Sequence, residues 1–182
     1  MKLLKTEFEG LLLIEPDLFE DDRGYFFESY NQKKFNDLGL FFEPAQDNES
    51  SSSVNVIRGL HYQLIPKAQA KLIRVISGRI FDVAVDLRKN SPTFGKWFGT
   101  ELDSASKTQL FIPEGFAHGF SVLSDNAVIL YKCDKLYSPE YERGIIYNDL
   151  DLNIDWRVEK EKAIVSKKDR GNPLFKNAEM NF

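Results

Sequence analysis

The sequence predicts an all-β fold, a sandwich or barrel of the jelly-roll kind with a few short helices, forming one domain over residues 1–182. Three observations predict it. Short apolar, β-branched or aromatic runs are separated by turn residues about every 8 to 12 positions, a rhythm of antiparallel sheets rather than of βα units. Only one segment carries the periodicity and caps of a helix. Finally, 15 Phe, 7 Tyr and 2 Trp give an aromatic excess that suits pleated surfaces. About eight strands in two sheets would close such a fold as a jelly roll.

Taken in order, Leu11 to Glu15 is a short apolar run stopped by Pro16, which predicts a strand. Phe19 to Gly24 is a charged turn, and Tyr25 to Tyr30 an aromatic strand. Asn31 to Gly39 is the helix: Asn31 caps it, Phe35 and Leu38 share a face, and Gly39 ends it. Phe41 to Asn48 reads as a strand, and the serine-rich Glu49 to Ser53 as a mobile surface loop.

Val56 to Gln63, Val-Ile-Arg-Gly-Leu-His-Tyr-Gln, is a strand dense in functional groups. Period-two alternation sends Arg58, Leu60 and Tyr62 to one face and Gly59, His61 and Gln63 to the other. Lys71 to Ile76 and Arg79 to Leu87, joined by Ser77-Gly78, read as a hairpin. Within its second strand Asp82 and Asp86 share a face among core residues. Lys96 to Leu102, Gln109 to Ile112, Ala117 to Leu123 and Ala127 to Leu136 follow as strands, the last two around the Ser124-Asp125-Asn126 turn. Tyr141 to Asp149 is irregular, Asp151 to Val158 reads as a short strand, and the tail from Ser166 is polar.

Composition excludes several functions. A net charge of -4 and an acidic pI argue against a general nucleic-acid binder, which needs a basic face to displace counterions, so an anionic ligand has to be held by a few local cations. Nothing approaches the run of about 20 apolar residues that a membrane span needs, and the amino-terminal residues have no apolar core of a signal peptide. A single cysteine, Cys133, makes no internal disulfide and fits a reducing cytoplasm.

The chemistry centres on two histidines, His61 and His118. Pro113-x-Gly115-x-x-His118 resembles the second motif of the cupins, but the place of their first motif holds His61-Tyr62-Gln63 and lacks the second histidine. Two histidines and one thiol cannot assemble a closed nitrogen or sulfur metal site, so no metal is expected. The histidines are then free to move protons, each working best with a carboxylate on one ring nitrogen. Asp82 and Asp169 are the candidates for that partner, and the sequence does not pair them. Singly, each residue has a structural reading: Tyr131 as a core aromatic, Asp82 as a loop cap, Arg23, Arg58 and Lys71 as solvated cations, Glu142 as surface.

Together, the segments resemble the dTDP-4-dehydrorhamnose 3,5-epimerase family of cupin-type nucleotide-sugar enzymes. The resemblance is carried, in family order, by Asp22 to Glu28, Gln46 to Asn48, Ile57 to Gln63, Lys71 to Arg74, Gly78 to Asp86, Pro113 to Phe120, Tyr131 to Cys133, Tyr137 to Glu140 and Ser166 to Asp169. It implies a cupin-type jelly roll in which His61 is the proton-abstracting base, Asp169 orients it, Tyr131 is the opposing acid and Lys71 stabilises an enolate. It further implies that Arg23, Glu28, Gln46, Asn48, Arg58, His118, Glu142 and Lys168 contact the nucleotide sugar, and that Tyr137 stacks on thymine. The implied substrate is a dTDP-linked 4-keto-6-deoxysugar, with no metal and no redox cofactor, and the implied assembly is a homodimer with strand exchange. Ala70 stands where the family usually has glycine, and Ser51 to Asn55 lacks a lysine often seen there. The same motifs accommodate an enzyme that inverts only C3 or only C5. A non-enzymatic sugar-binding cupin is the reading from another class.

Overall fold

A computed structural model describes residues 1–182 and contains a six-stranded antiparallel sheet packed face to face on a second sheet of five antiparallel strands and one short parallel strand, with a separate two-stranded ribbon. The chain runs through β1 (Lys2–Lys5), β2 (Leu12–Glu15), β3 (Phe19–Asp21), β4 (Gly24–Phe26), α1 (Gln32–Asp37), β5 (Gln46–Ser53), β6 (Val56–Gln63), β7 (Lys71–Ser77) and β8 (Arg79–Asp86). It continues through β9 (Trp97–Asp103), β10 (Gln109–Ile112), β11 (Phe116–Val122), β12 (Asn126–Cys133), β13 (Glu142–Gly144), β14 (Ile164–Val165) and α2 (Lys167–Arg170). One sheet has the order β1-β2-β10-β7-β12-β5 and the other β13-β6-β11-β8-β9, with β14 added in parallel to β6. The all-β expectation therefore holds.

Alternation builds the inter-sheet core. Ile73 and Val75 of β7, Leu110 and Ile112 of β10 and Ala127 and Ile129 of β12 face Ile80 and Ala84 of β8 and Phe120 and Val122 of β11. Each large side chain buried this way contributes about 1.5–3 kcal/mol, so the register of every strand is held by its inward residues. A second cluster, including Ile57, Leu60, Tyr62, Val83 and Val85, lies on the outer face of the five-stranded sheet under Leu152, Trp156 and the carboxy-terminal tail. A third places Phe35, Leu40 and Phe42 on the outer face of the other sheet.

Several elements differ from expectation. The serine-rich Glu49 to Ser53 is not a loop: it belongs to β5 and pairs residue by residue with β12, from Asn126↔Ser53 to Cys133↔Gln46. Its serines alternate like any half-buried strand. The strand expected from Phe41 begins only at Gln46, and the aromatic strand from Tyr25 ends at Phe26 in a two-stranded ribbon with β3. Leu38 is the C-cap of α1 and is exposed, leaving Phe35 as its buried anchor, while Asn31 does cap the helix by accepting from Lys34 N.

The expected hairpin across Ser77-Gly78 is absent. β7 pairs with β10 and β12, and β8 with β9 and β11, so the short link is a corner between sheets. The same holds for β11 and β12 across the Ser124 turn. Asp151 to Val158 forms no strand. Positive φ at Asn153 (45°) and Arg157 (58°) breaks extension there, and the segment instead covers the sheet through Trp156, whose indole N–H donates to Tyr147 O at 2.7 Å. No helix is long and apolar enough to cross a membrane.

Candidate active site

Toward one end the two inner faces carry polar side chains, and a cavity opens between the sheets. It has two lobes, of about 280 and 530 Å3, that share His61, Lys71 and Tyr131 in their walls. The five-stranded sheet supplies Arg58, His61 and Gln63 from β6 and His118 from β11. The six-stranded sheet supplies Lys71 from β7, Tyr131 and Cys133 from β12, and Gln46, Asn48 and Ser50 from β5. Lys168 and Asp169 of α2 and Glu142 of β13 complete the rim.

Strict alternation would separate Arg58 from His61. A bulge in β6 unites them: His118 lies opposite His61 but Phe120 lies opposite Arg58, so β6 spends one extra residue over this interval. The extra residue is accommodated at Gly59, whose φ is 119° and where a Cβ would fall 2.6 Å from Gly119 Cα. Only glycine fits. Arg58 and His61 consequently enter the same cavity, while Ile57, Leu60 and Tyr62 remain in the outer core.

Both histidines are held by carboxylates, and the structure settles which. His61 Nε2 lies 2.8 Å from Asp169 Oδ1, and the other oxygen of Asp169 accepts from Gly59 N at 3.2 Å. Ser166 caps α2 by accepting from Asp169 N at 3.0 Å, which fixes the carboxylate in place. Burial raises the Asp169 pKa, but the bonds and charge from His61 and the Gly59 N–H outweigh it, so the group stays below the usual aspartate value. With Nε2 engaged, Nδ1 is the nitrogen available to the cavity. His118 is buried, and its Nε2 lies 3.0 Å from both oxygens of the fully buried Asp82.

Opposite His61, Tyr131 is desolvated, and this burial raises its phenol pKa, with the nearby Cys133 adding to the shift. Burial pushes Lys71 the other way, lowering its ammonium pKa despite Cys133, Asp82 and Glu142 nearby. Arg58 is braced by Nε donating to Ser52 Oγ at 2.9 Å and Nη2 donating to Ser51 O at 3.2 Å. At the rim, Glu142 accepts from Lys168 Nζ and from Tyr137 OH, each at 2.7 Å. Gln46 accepts from Tyr137 N at 2.7 Å and donates to Asn48 Oδ1 at 2.9 Å.

Eleven of the thirteen expected site residues are thus gathered around one cavity, and two are not. Arg23, 90% exposed, sits on the β3–β4 ribbon and pairs with Asp21 at 2.5 Å. Glu28 pairs with Lys34 at 2.5 Å. Neither lines the lobes. Sequence reading missed Ser50, Gln63, Gln69 and Cys133 as cavity wall. Ser50 was recoverable, because period two from Gln46 and Asn48 arrives at it once the serine run is a strand. No group of three or more His, Cys, Asp and Glu side chains is arranged to hold a metal ion.

This constellation of a carboxylate-held histidine, an opposed tyrosine and a desolvated lysine coincides with a match over residues 5–177 to the family model for dTDP-4-dehydrorhamnose 3,5-epimerase. The chain belongs to that family. It is 51% identical over 180 residues to the dTDP-4-dehydrorhamnose 3,5-epimerase of Shigella flexneri, covering 98% of each chain. Its structure superposes on that of the same enzyme from Elizabethkingia anophelis with a TM-score of 0.93 at 53% identity, covering 97% of both chains. The Legionella pneumophila epimerase, solved in complex with dTDP-4-keto-L-rhamnose, gives a TM-score of 0.92 at 44% identity, covering 97% of this chain and 93% of that one. Similarity at this level over the whole length makes this member of the family an isomerase acting on carbohydrates.

Proposed function

We propose that the protein converts dTDP-4-dehydro-6-deoxy-D-glucose to dTDP-4-dehydro-L-rhamnose by inverting C3 and C5, in dTDP-L-rhamnose biosynthesis. The observation that carries this reading is the placement of His61 and Tyr131 on opposite sheets, in the walls of one cavity, with Lys71 also lining both lobes. The C4 carbonyl acidifies the hydrogens on C3 and C5. His61 removes such a proton from one face through Nδ1, and Asp169 holds the ring and stabilises the imidazolium. The electron pair flows onto the carbonyl oxygen, where the Lys71 ammonium stabilises the enolate in a site shielded from water. Tyr131 returns a proton from the other face, which inverts the centre. No electrons leave the sugar, so the reaction requires no redox cofactor.

Arg58, His118 and Lys168 supply donors for the diphosphate, Arg58 with its guanidinium already oriented by Ser51 and Ser52. Gln46, Asn48 and Glu142 hold the nucleoside end, and Tyr137, half exposed at the rim, stacks on thymine. Arg23 and Glu28 act in the cavity of a second copy. The β3–β4 ribbon that carries Arg23 displays Phe19, Tyr25 and Phe26, each more than half exposed, as an apolar surface for a homodimer with strand exchange. Residues 1–182 work as one domain in the cytoplasm, where Cys133 stays reduced.

The test is proton NMR of dTDP-4-dehydro-6-deoxy-D-glucose with the purified protein in deuterated water. Deuterium entering both C3 and C5, with the product reduced downstream to dTDP-L-rhamnose, is expected. Exchange at one centre alone would make it a single-centre epimerase, and exchange at neither would overturn the reading.

A further inference from the structure

Gln63 ends the Val56 to Gln63 strand with a side chain that no step of the proposed reaction uses. It lines the same lobe as Tyr137 and is only 4% exposed. Both hydrogens of its amide nitrogen are spent on backbone, Nε2 donating to Lys67 O at 2.6 Å and to Leu136 O at 3.4 Å, and its Oε1 accepts from Ser138 N at 2.7 Å. Its donors are therefore filled by the protein rather than offered to a ligand.

The segment it holds, Lys135 to Ser138, has no regular secondary structure. No backbone–backbone hydrogen bond reaches an N–H or C=O of residues 135 to 137. Packing does not hold it either, since Leu136 is 65% exposed and Tyr137 50%. Side-chain amides take over this task. Gln69 Nε2 donates to Lys135 O at 2.7 Å, Gln63 brackets Tyr137 through Leu136 O and Ser138 N, and Gln46 Oε1 accepts from Tyr137 N. Gln46 stands on β5 of the six-stranded sheet and Gln63 on β6 of the five-stranded one, so the segment is clasped from both walls of the cavity. The Tyr137 hydroxyl, donating to Glu142, then fixes the ring itself.

Without this clasp the Lys135 to Ser138 backbone would have to be ordered each time a ligand stacks on Tyr137, at the expense of affinity. We propose that Gln63, seconded by Gln69, is a positioning residue for nucleotide recognition: it holds this backbone so that the Tyr137 ring stands ready for a nucleobase before the nucleotide arrives. The proposal rests on the reading of Tyr137 as the stacking ring. Gln63 acts through that ring and not on the base, the diphosphate or the sugar.

The test uses Gln63→Met, which keeps the length of the side chain and removes all of its hydrogen bonds. Calorimetric titration with dTDP and with inorganic pyrophosphate separates the base from the diphosphate, and initial rates of deuterium incorporation give kcat and KM. Affinity for dTDP is expected to fall about tenfold and KM to rise in step, with pyrophosphate affinity and kcat within about twofold of the parent protein. In a Tyr137→Ala background the same substitution is expected to leave dTDP affinity within about twofold, because the ring it positions is gone. Gln69→Met, which removes one bond from a half-buried side chain, is expected to lower dTDP affinity about threefold with the same selectivity, and carries the test where Gln63→Met does not fold. Equal weakening of dTDP and pyrophosphate, or an undiminished loss in the Tyr137→Ala background, would make the clasp purely structural and overturn the proposal. Unchanged dTDP affinity in both glutamine variants would overturn it as well. Tyr137→Ala binding dTDP as tightly as the parent would instead strike at the stacking reading on which the proposal depends.

Discussion

Replacing Asp169 by Asn tests the catalytic geometry most sharply. The carboxylate accepts from His61 Nε2 at 2.8 Å and from Gly59 N at 3.2 Å, and is almost fully buried. Asparagine is nearly isosteric, so the cap from Ser166 survives, but its amide N–H can point at Nε2. That makes Nε2 the acceptor and places the ring hydrogen on Nδ1, the nitrogen that takes the substrate proton. General-base catalysis contributes about 10²- to 10⁴-fold, and the corresponding carboxylate-to-amide change in a Ser-His-Asp triad costs about 10⁴-fold. A loss of about 10³-fold in kcat is therefore expected, about 4 kcal/mol of transition-state stabilisation. Initial rates come from deuterium incorporation at C3 and C5, and calorimetric titration with dTDP reports whether the cavity is intact. A variant that binds dTDP normally and turns over within threefold of the parent would refute the assignment of Asp169 as the group orienting the base.

Four further outcomes are expected. Lys71→Met keeps the volume of a side chain that is already desolvated but removes the cation at the enolate; kcat should fall about 10²- to 10³-fold with dTDP affinity little changed, measured by the same rates and titration. Asp86→Asn probes acid stability. Bonds from Arg88, Ser91 and Thr93 overcome the effect of burial and hold the Asp86 pKa at about 2, below the ordinary 3.8. Its contribution, about 2 kcal/mol, is present above pH 3.8 and lost as pH falls through about 2, so parent and variant melting curves should differ near neutrality and converge in strong acid. Gly78→Ala places a methyl 2.1 Å from Asn126 O at a φ of 82°, and should lower stability by about 1–3 kcal/mol or more in urea titrations without altering activity per folded molecule. Dialysis against a chelator should leave epimerisation intact; a loss restored by added metal would count against the proton-transfer mechanism.

Much of the architecture was determined by local sequence. Val56 to Gln63, Gln109 to Ile112 and Asn126 to Cys133 contain the residues of strands, and Asn31 caps a helix wherever the chain around it goes. The spacing of His61, Lys71, His118 and Tyr131 among strand signals was enough to place the chemistry inside a sandwich. What tertiary structure alone decided was which strands are partners and which side chains meet. Ser77-Gly78 reads the same whether it closes a hairpin or turns a corner between sheets; the choice depends on β10, β11 and β12 competing for the edges of β7 and β8. Glu49 to Ser53 is polar enough for a loop, and becomes a strand because β12 satisfies its backbone hydrogen bonds. Arg58 and His61 share a cavity only because β6 bulges against β11. Asp169 is 108 residues from His61 and Asp82 is 36 from His118, and nothing local distinguishes one pairing from the other. Propensity and alternation are properties of neighbours in the chain, whereas register, bulges and ion pairs minimise the free energy of contacts between segments far apart in it.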